Sequence, residues 1–75
     1  MSAKQMFEKL GYTYKYLNNS HRIEYFLDKD EEFSRVFTKI VFYKRIKKIE
    51  TNGYLSLEEL QAINQQVKEL GWLDE

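Results

Sequence analysis

The most constraining stretch of the chain is Ser56 to Trp72, because both ends of a helix are written there in residues that do little else. Ser56 and Glu59 have the spacing of a capping box, in which the serine hydroxyl takes the N–H of Glu59 and the carboxylate takes the N–H of Ser56. Leu55 and Leu60 stand where a hydrophobic staple would form. Gly71 supplies the left-handed residue that stops a helix, and Trp72 can fold back on Val67 in a Schellman close. Between the caps, Leu60, Ile63, Val67 and Leu70 make an apolar stripe that requires a cover. The middle of the chain is rich in tyrosine and phenylalanine, which makes a small sheet the expected cover.

The start of the chain repeats the device. Ser2 and Gln5 form a second cap pair, Met1 and Met6 a second staple, and Gly11 with Tyr12 a second stop behind a helix through Met6, Phe7 and Leu10. Beyond Gly11 the period changes to two. Tyr12, Tyr14 and Tyr16 alternate with Thr13, Lys15 and Leu17, and Asn18-Asn19-Ser20 is turn chemistry. Ile23, Tyr25 and Leu27 give a second strand, and residues 28–32 a charged connection. Residues 33–43 are dominated by β-branched and aromatic types and read as a long central strand. Phe33, Val36, Phe37, Ile40 and Tyr43 also fit a helical stripe, and residue type decides for the strand. Lys44-Arg45 then turns the chain into a short fourth strand over 46–51, and Asn52-Gly53 is a turn before the final helix.

The fold class expected is therefore α+β. It is one two-layer domain over residues 1–75, ordered helix, three to four antiparallel strands, helix, with both helices on one face of the sheet. Leu60, Ile63, Val67, Leu70, Phe7 and Leu10 are the expected packing set. At 75 residues without a cysteine, the domain must be held by packing, for which six Tyr, five Phe and one Trp provide the bulk. Twelve basic residues balance twelve acidic ones, so no long-range pull toward nucleic acid or anionic membrane is expected. No stretch has the length or apolarity of a signal peptide or a membrane span, which leads us to expect a soluble intracellular protein.

Two segments carry a resemblance. Leu57-Glu58-Glu59-Leu60-Gln61-Ala62-Ile63-Asn64 with Glu69-Leu70-Gly71-Trp72, and Met6-Phe7-Glu8-Lys9-Leu10-Gly11-Tyr12, resemble the ends of a group of short uncharacterised proteins of phages and prophages of low-GC Gram-positive bacteria. The likeness covers about half of the chain, and its middle does not match residue by residue. The resemblance implies a compact α+β domain and an accessory role in the cytoplasm of a bacterial host. It brings no catalytic residues with it.

Four constellations bear on chemistry. Residues 50–60 imitate the second half of a calcium loop, but Lys48 falls where the first ligand belongs, so a turn followed by a capping box accounts for Gly53, Ser56 and Glu59 without metal. Asp28, Asp30 and Glu32 have ligand-like spacing, with Phe33 at the glycine position. Lys44, Arg45, Lys47 and Lys48, with Arg35 and Lys39 on the preceding strand, are the concentrated positive charge. A basic hairpin beside Phe42 and Tyr43 is a nucleic-acid-binding candidate, against the plainer role of charge that keeps a sheet edge from pairing. His21 has neither a cysteine nor a second histidine to make a transition-metal site, and reads as a turn residue.

Protein contact is the leading functional expectation. Tyr12, Tyr14 and Tyr16 are either core, if the helices lie over them, or an aromatic binding surface. Asn64, at the edge of the apolar stripe, either bonds a neighbouring loop or meets a partner. With no nucleophile and base pairing, no glycine-rich phosphate loop and no paired carboxylates in the sequence, we expect no enzyme, no cofactor, no metal and no small-molecule substrate. The partner expected is an unidentified protein or a second copy of the chain, with nucleic acid as the second reading and no membrane.

Overall fold

The computed structural model describes residues 1–30 and 35–73, with the side chains of residues 29, 30, 35 and 36 also outside the description. Its elements run α1 (Ala3–Lys9), β1 (Thr13–Leu17), a single 3₁₀ turn over Asn18–Ser20, β2 (Arg22–Asp30), β3 (Arg35–Tyr43), β4 (Lys48–Thr51) and α2 (Leu57–Glu69). The strands form an antiparallel meander in the order β1-β2-β3-β4, so the α+β class and the order of elements are those expected. Residues 35–43 are strand. The remainder of the expected central strand, including Phe33, and Glu31 and Glu32 of the expected charged connection lie outside the described residues. Asp28 to Asp30 belong to β2 rather than to that connection.

Both helices carry the caps read from the sequence. Ser2 and Gln5, and Ser56 and Glu59, each make the two reciprocal bonds of a capping box. At the other ends Tyr12 N–H donates to the Phe7 carbonyl and Trp72 N–H to the Val67 carbonyl, the six-to-one bond of a Schellman motif. Gly11 and Gly71 take positive φ, 96° and 74°, to allow it. The Phe7 and Tyr12 rings then meet edge to face at 5.3 Å, so the first stop is also a core contact.

Register decides the faces of the sheet. Tyr14 pairs with Tyr25, Tyr25 with Ile40, and Ile23 with Phe42, and these side chains share the face that the helices cover. Phe7 stacks on Tyr25 at 3.9 Å and meets Phe42 edge-on at 6.4 Å, and all three rings are almost fully excluded from solvent. On the opposite face no helix lies among the described residues. Its centre is nonetheless closed, with Val41 buried beside Glu24, whose carboxylate pairs with Arg22 Nε at 2.9 Å.

Two expectations need correction. Lys44–Lys47 is a four-residue connection rather than a tight Lys44-Arg45 turn, so the fourth strand begins at Lys48, not Ile46. Lys47 sits at φ 54°, a left-handed position that a lysine does not advertise in sequence. The second correction is Leu60, expected against the sheet but 54% exposed. Helix α2 is seated on Ala62, Ile63 and Gln66 instead. At ~100° per residue, that buried side is rotated by roughly a fifth of a turn from the centre of the apolar stripe. The physical reason is the set of hydrogen bonds that Tyr12 and Tyr25 make to this helix.

Candidate binding face of helix α2

The inner side of α2 is held by polar anchors. Tyr25 Oη donates to Gln66 Oε1 at 2.6 Å in the core. Tyr12 Oη donates to Glu59 Oε2, while Glu59 Oε1 accepts from Ser56 N–H at 2.6 Å. Glu69 Oε2 accepts from Ala3 N–H at 2.8 Å and from Gln65 Nε2 at 3.0 Å, fastening the end of α2 to the start of α1. Burial raises the pKa of both tyrosines above the ordinary phenol value, and for Tyr12 the hydrogen bond to Glu59 raises it further. An unmade bond at a buried hydroxyl or amide costs about 1–3 kcal/mol. Exposing a leucine forgoes a similar ~1.5–3 kcal/mol. Rotating Leu60 inward would trade one for the other, and the two tyrosines with their two acceptors favour the seating observed.

The outer side is what that seating leaves. Leu57 is 66% exposed, Leu60 54%, and Asn64 is exposed between Leu60 and the half-buried Val67. Leu60, Gln61, Ile63, Asn64 and Val67 line a shallow, mainly apolar groove. Asn64 makes no side-chain hydrogen bond among the described residues, so the expected bond to a neighbouring loop is not what holds it. The apolar surface reaches beyond the helix. Ile49 faces Phe42 in the register and so lies on the helix-covered face, yet it stays 38% exposed, because α2 does not extend over β4. Tyr54 and Leu55, leading into α2, are exposed too.

The tyrosines expected as partner contacts take the other of their two roles. Tyr12 is buried in the core and Tyr14 is half-buried against Tyr25, with Lys4 Nζ 4.9 Å over its ring. Tyr16 alone of the three is exposed, and its ring and hydroxyl are occupied by Lys44 Nζ, at 5.0 Å and 3.1 Å. As an aromatic docking row, Tyr12, Tyr14 and Tyr16 are therefore corrected to core, flank and edge, because α1 and α2 lie across that face.

The basic set is divided. Lys44, Arg45, Lys47 and Lys48 gather at one end of the sheet, beside the β1–β2 turn. There Lys44 N–H donates to the His21 carbonyl at 3.0 Å, and Arg45 Nη2 meets His21 Nε2 at 3.1 Å. His21 is thus a turn residue, at φ 50°, with a structural contact. Lys39 is five strand residues back from Lys44, roughly 16 Å away. Glu50 sits opposite Val41 between them and accepts from Tyr43 Oη at 2.6 Å. The Arg35 side chain lies outside the described residues.

Around Asn52 the structure uses a residue that the sequence marked only as a turn. Its side-chain amide donates to the Phe37 carbonyl at 3.1 Å and accepts from Lys39 N–H at 2.5 Å. The amide thereby continues the β3–β4 ladder for one more step after Thr51. The segment entering the calcium-like loop is this strand, not a helix, and both carboxylate oxygens of Glu59 are already engaged. Among the described residues, no cluster of His, Cys, Asp and Glu has the arrangement of a metal site, and no helix is long and apolar enough to cross a membrane. Comparison with protein-family models, with curated proteins and with solved structures gave no match.

Proposed function

We propose that the chain is a small non-enzymatic binding module whose recognition surface is the outer side of α2. The observation that carries this reading is the pair Leu57 and Leu60, both more than half exposed, beside Asn64, which makes no side-chain hydrogen bond among the described residues. Isolated exposed leucines are ordinary on any surface, whereas two exposed leucines at a mainly apolar groove that also holds the Asn64 amide match the composition of a contact that another surface completes. The two ends of the chain that resemble phage and prophage proteins support a setting in the cytoplasm of a bacterial host, as an accessory protein acting by contact.

The test is capture from lysate of a low-GC Gram-positive bacterium, comparing the parent chain, Leu60→Asp, and Lys47→Glu with Lys48→Glu. Leu60 is exposed, so its substitution leaves the core intact. A partner lost with Leu60→Asp and retained with the charge reversals is the expected result. The reverse pattern favours the second reading, a nucleic-acid contact at the Lys44 to Lys48 end, which the clustering of four cations beside the exposed rim of Tyr16 recommends. Binding there falls steeply with added salt. Capture that is equal for all three proteins, or absent for all three, overturns the α2 reading.

A further inference from the structure

We infer that the chain self-associates edge to edge, with β4 pairing antiparallel to β4 of a second copy about a two-fold axis at Ile49, so that two four-stranded sheets become one. This edge is separate from the α2 face, and either contact can exist without the other. β4 is the last strand in the sheet order, and all four of its residues, Lys48 to Thr51, are exposed. Its outward groups follow from the ladder. Lys39 N–H and the Phe37 carbonyl are taken by Asn52 on the β4 side of β3, so the odd-numbered residues of β3 turn their main-chain groups toward β4. Val41 and Tyr43 therefore bond Glu50 and Lys48, and the N–H and C=O of Ile49 and Thr51 are left on the outer edge. Such a row takes an extended backbone as its occupant.

The side chains select which backbone. Antiparallel pairing sets outward residue against outward residue, so the axis of a β4 pair falls on Lys48, Ile49 or Glu50. On Lys48 or Glu50 it opposes that residue to its own copy, like charge to like. On Ile49 it opposes Lys48 to Glu50 twice, and the two Ile49 residues exchange both of their main-chain hydrogen bonds. A parallel pairing in register again sets lysine beside lysine and glutamate beside glutamate. Glu50 Oε1 accepts from Tyr43 Oη at 2.6 Å, which holds the carboxylate at this edge. Ile49 is 38% exposed beyond the reach of α2, and its own copy would cover it from the side. Alternating charge on a short edge strand thus rejects strands in general and admits the one that mirrors it. The contact is small. Thr51 falls opposite Lys47, whose left-handed backbone ends the ladder, and β4 with four residues is only ~13 Å long. The buried area therefore stays below ~1,200 Å² in total, and the dimer dissociates on dilution.

The experiment uses the purified full chain alone. Sedimentation velocity, carried to millimolar concentration, is expected to show a reversible monomer–dimer equilibrium. Lys48→Glu and Glu50→Lys, each at an exposed side chain, should each weaken it by about tenfold or more while leaving the circular dichroism unchanged. Mixed in equal amounts, the two variants should dimerise as the parent does, because each then meets opposite charge at both positions. The parent chain contains no cysteine, so single thiols report position directly. Lys48→Cys mixed with Glu50→Cys should form a disulfide-linked pair faster than either does alone. Leu60→Asp, on the α2 face, should leave the equilibrium unchanged. A monomer at every concentration overturns self-association and leaves the α2 reading to the lysate test. A dimer that survives both charge reversals, or a mixture that restores nothing, overturns the register. A dimer lost with Leu60→Asp and kept with the reversals moves the contact to α2 and overturns the edge.

Discussion

The two sides of α2 divide its apolar residues between them. Toward the domain it seats Ala62, Ile63 and Gln66, with Val67 and Leu70 packed beside them and Glu59 and Glu69 hydrogen-bonded at the margin, and away from it stand Leu57 and Leu60. The difference teaches that an apolar stripe locates a helix on a core without fixing its rotation. Rotation here follows the hydroxyls of Tyr12 and Tyr25, which need acceptors once they are buried, and Ala62 permits the close approach that brings the acceptors within reach. Each side makes a different kind of prediction, and substitutions that look alike on a helical wheel should separate by side.

The largest expected effect is on the inner side. Ala62→Leu adds apolar area yet should destabilise the fold by about 1–3 kcal/mol in a urea titration, because no space is left at a fully buried position. Equal stability to the parent would mean that the helix is free to shift outward. Next, Tyr25→Phe should cost about 1–2 kcal/mol by stranding the Gln66 amide oxygen. Adding Gln66→Leu to it should restore most of that loss, and a double mutant whose losses simply add would deny the pair its role.

Alkali sharpens the same contrast without mutation. Tyr12 and Tyr25 are held above their ordinary value, so the folded state keeps protons that the unfolded state releases from about pH 10 upward. The unfolded state then binds fewer protons than the folded one, and stability must fall as pH rises through that range. In an alkaline absorbance titration the phenolate signals of Tyr12 and Tyr25 should appear together with loss of the helical signal. Ionisation of all six before unfolding would remove the inner anchors. The smallest effect belongs to the outer side. Leu60→Ala should change stability in a urea titration by less than about 0.5 kcal/mol.

What was legible in the sequence follows the same division. Both capping boxes and both glycine stops could be read because each is settled within about six residues, by groups that have no competing use there. The central strand was readable through its residue types. The seating of α2 was not, since its determinants are bonds between residues 47 and 41 positions apart. Asn64 was visible as an oddity on the stripe, but its surroundings depended on that seating. The tyrosine row was misleading as a surface for a related reason: alternation tells that three rings share a face, and the fold alone tells which face is roofed. The late start of β4 was hidden by Lys47, whose left-handed backbone has no compositional mark.

Asn52 turns a side chain into a counterfeit peptide group, closing the gap that β4 leaves along β3. Its neighbour is Gly53, and asparagine followed by glycine is the pair most open to hydrolytic ageing. Conversion to aspartate would replace a group that gives and receives with one that only receives, setting a carboxylate against the Phe37 carbonyl. The same chemical step would leave the Phe37 carbonyl as an open acceptor on β3, one point at which a foreign strand could begin to pair.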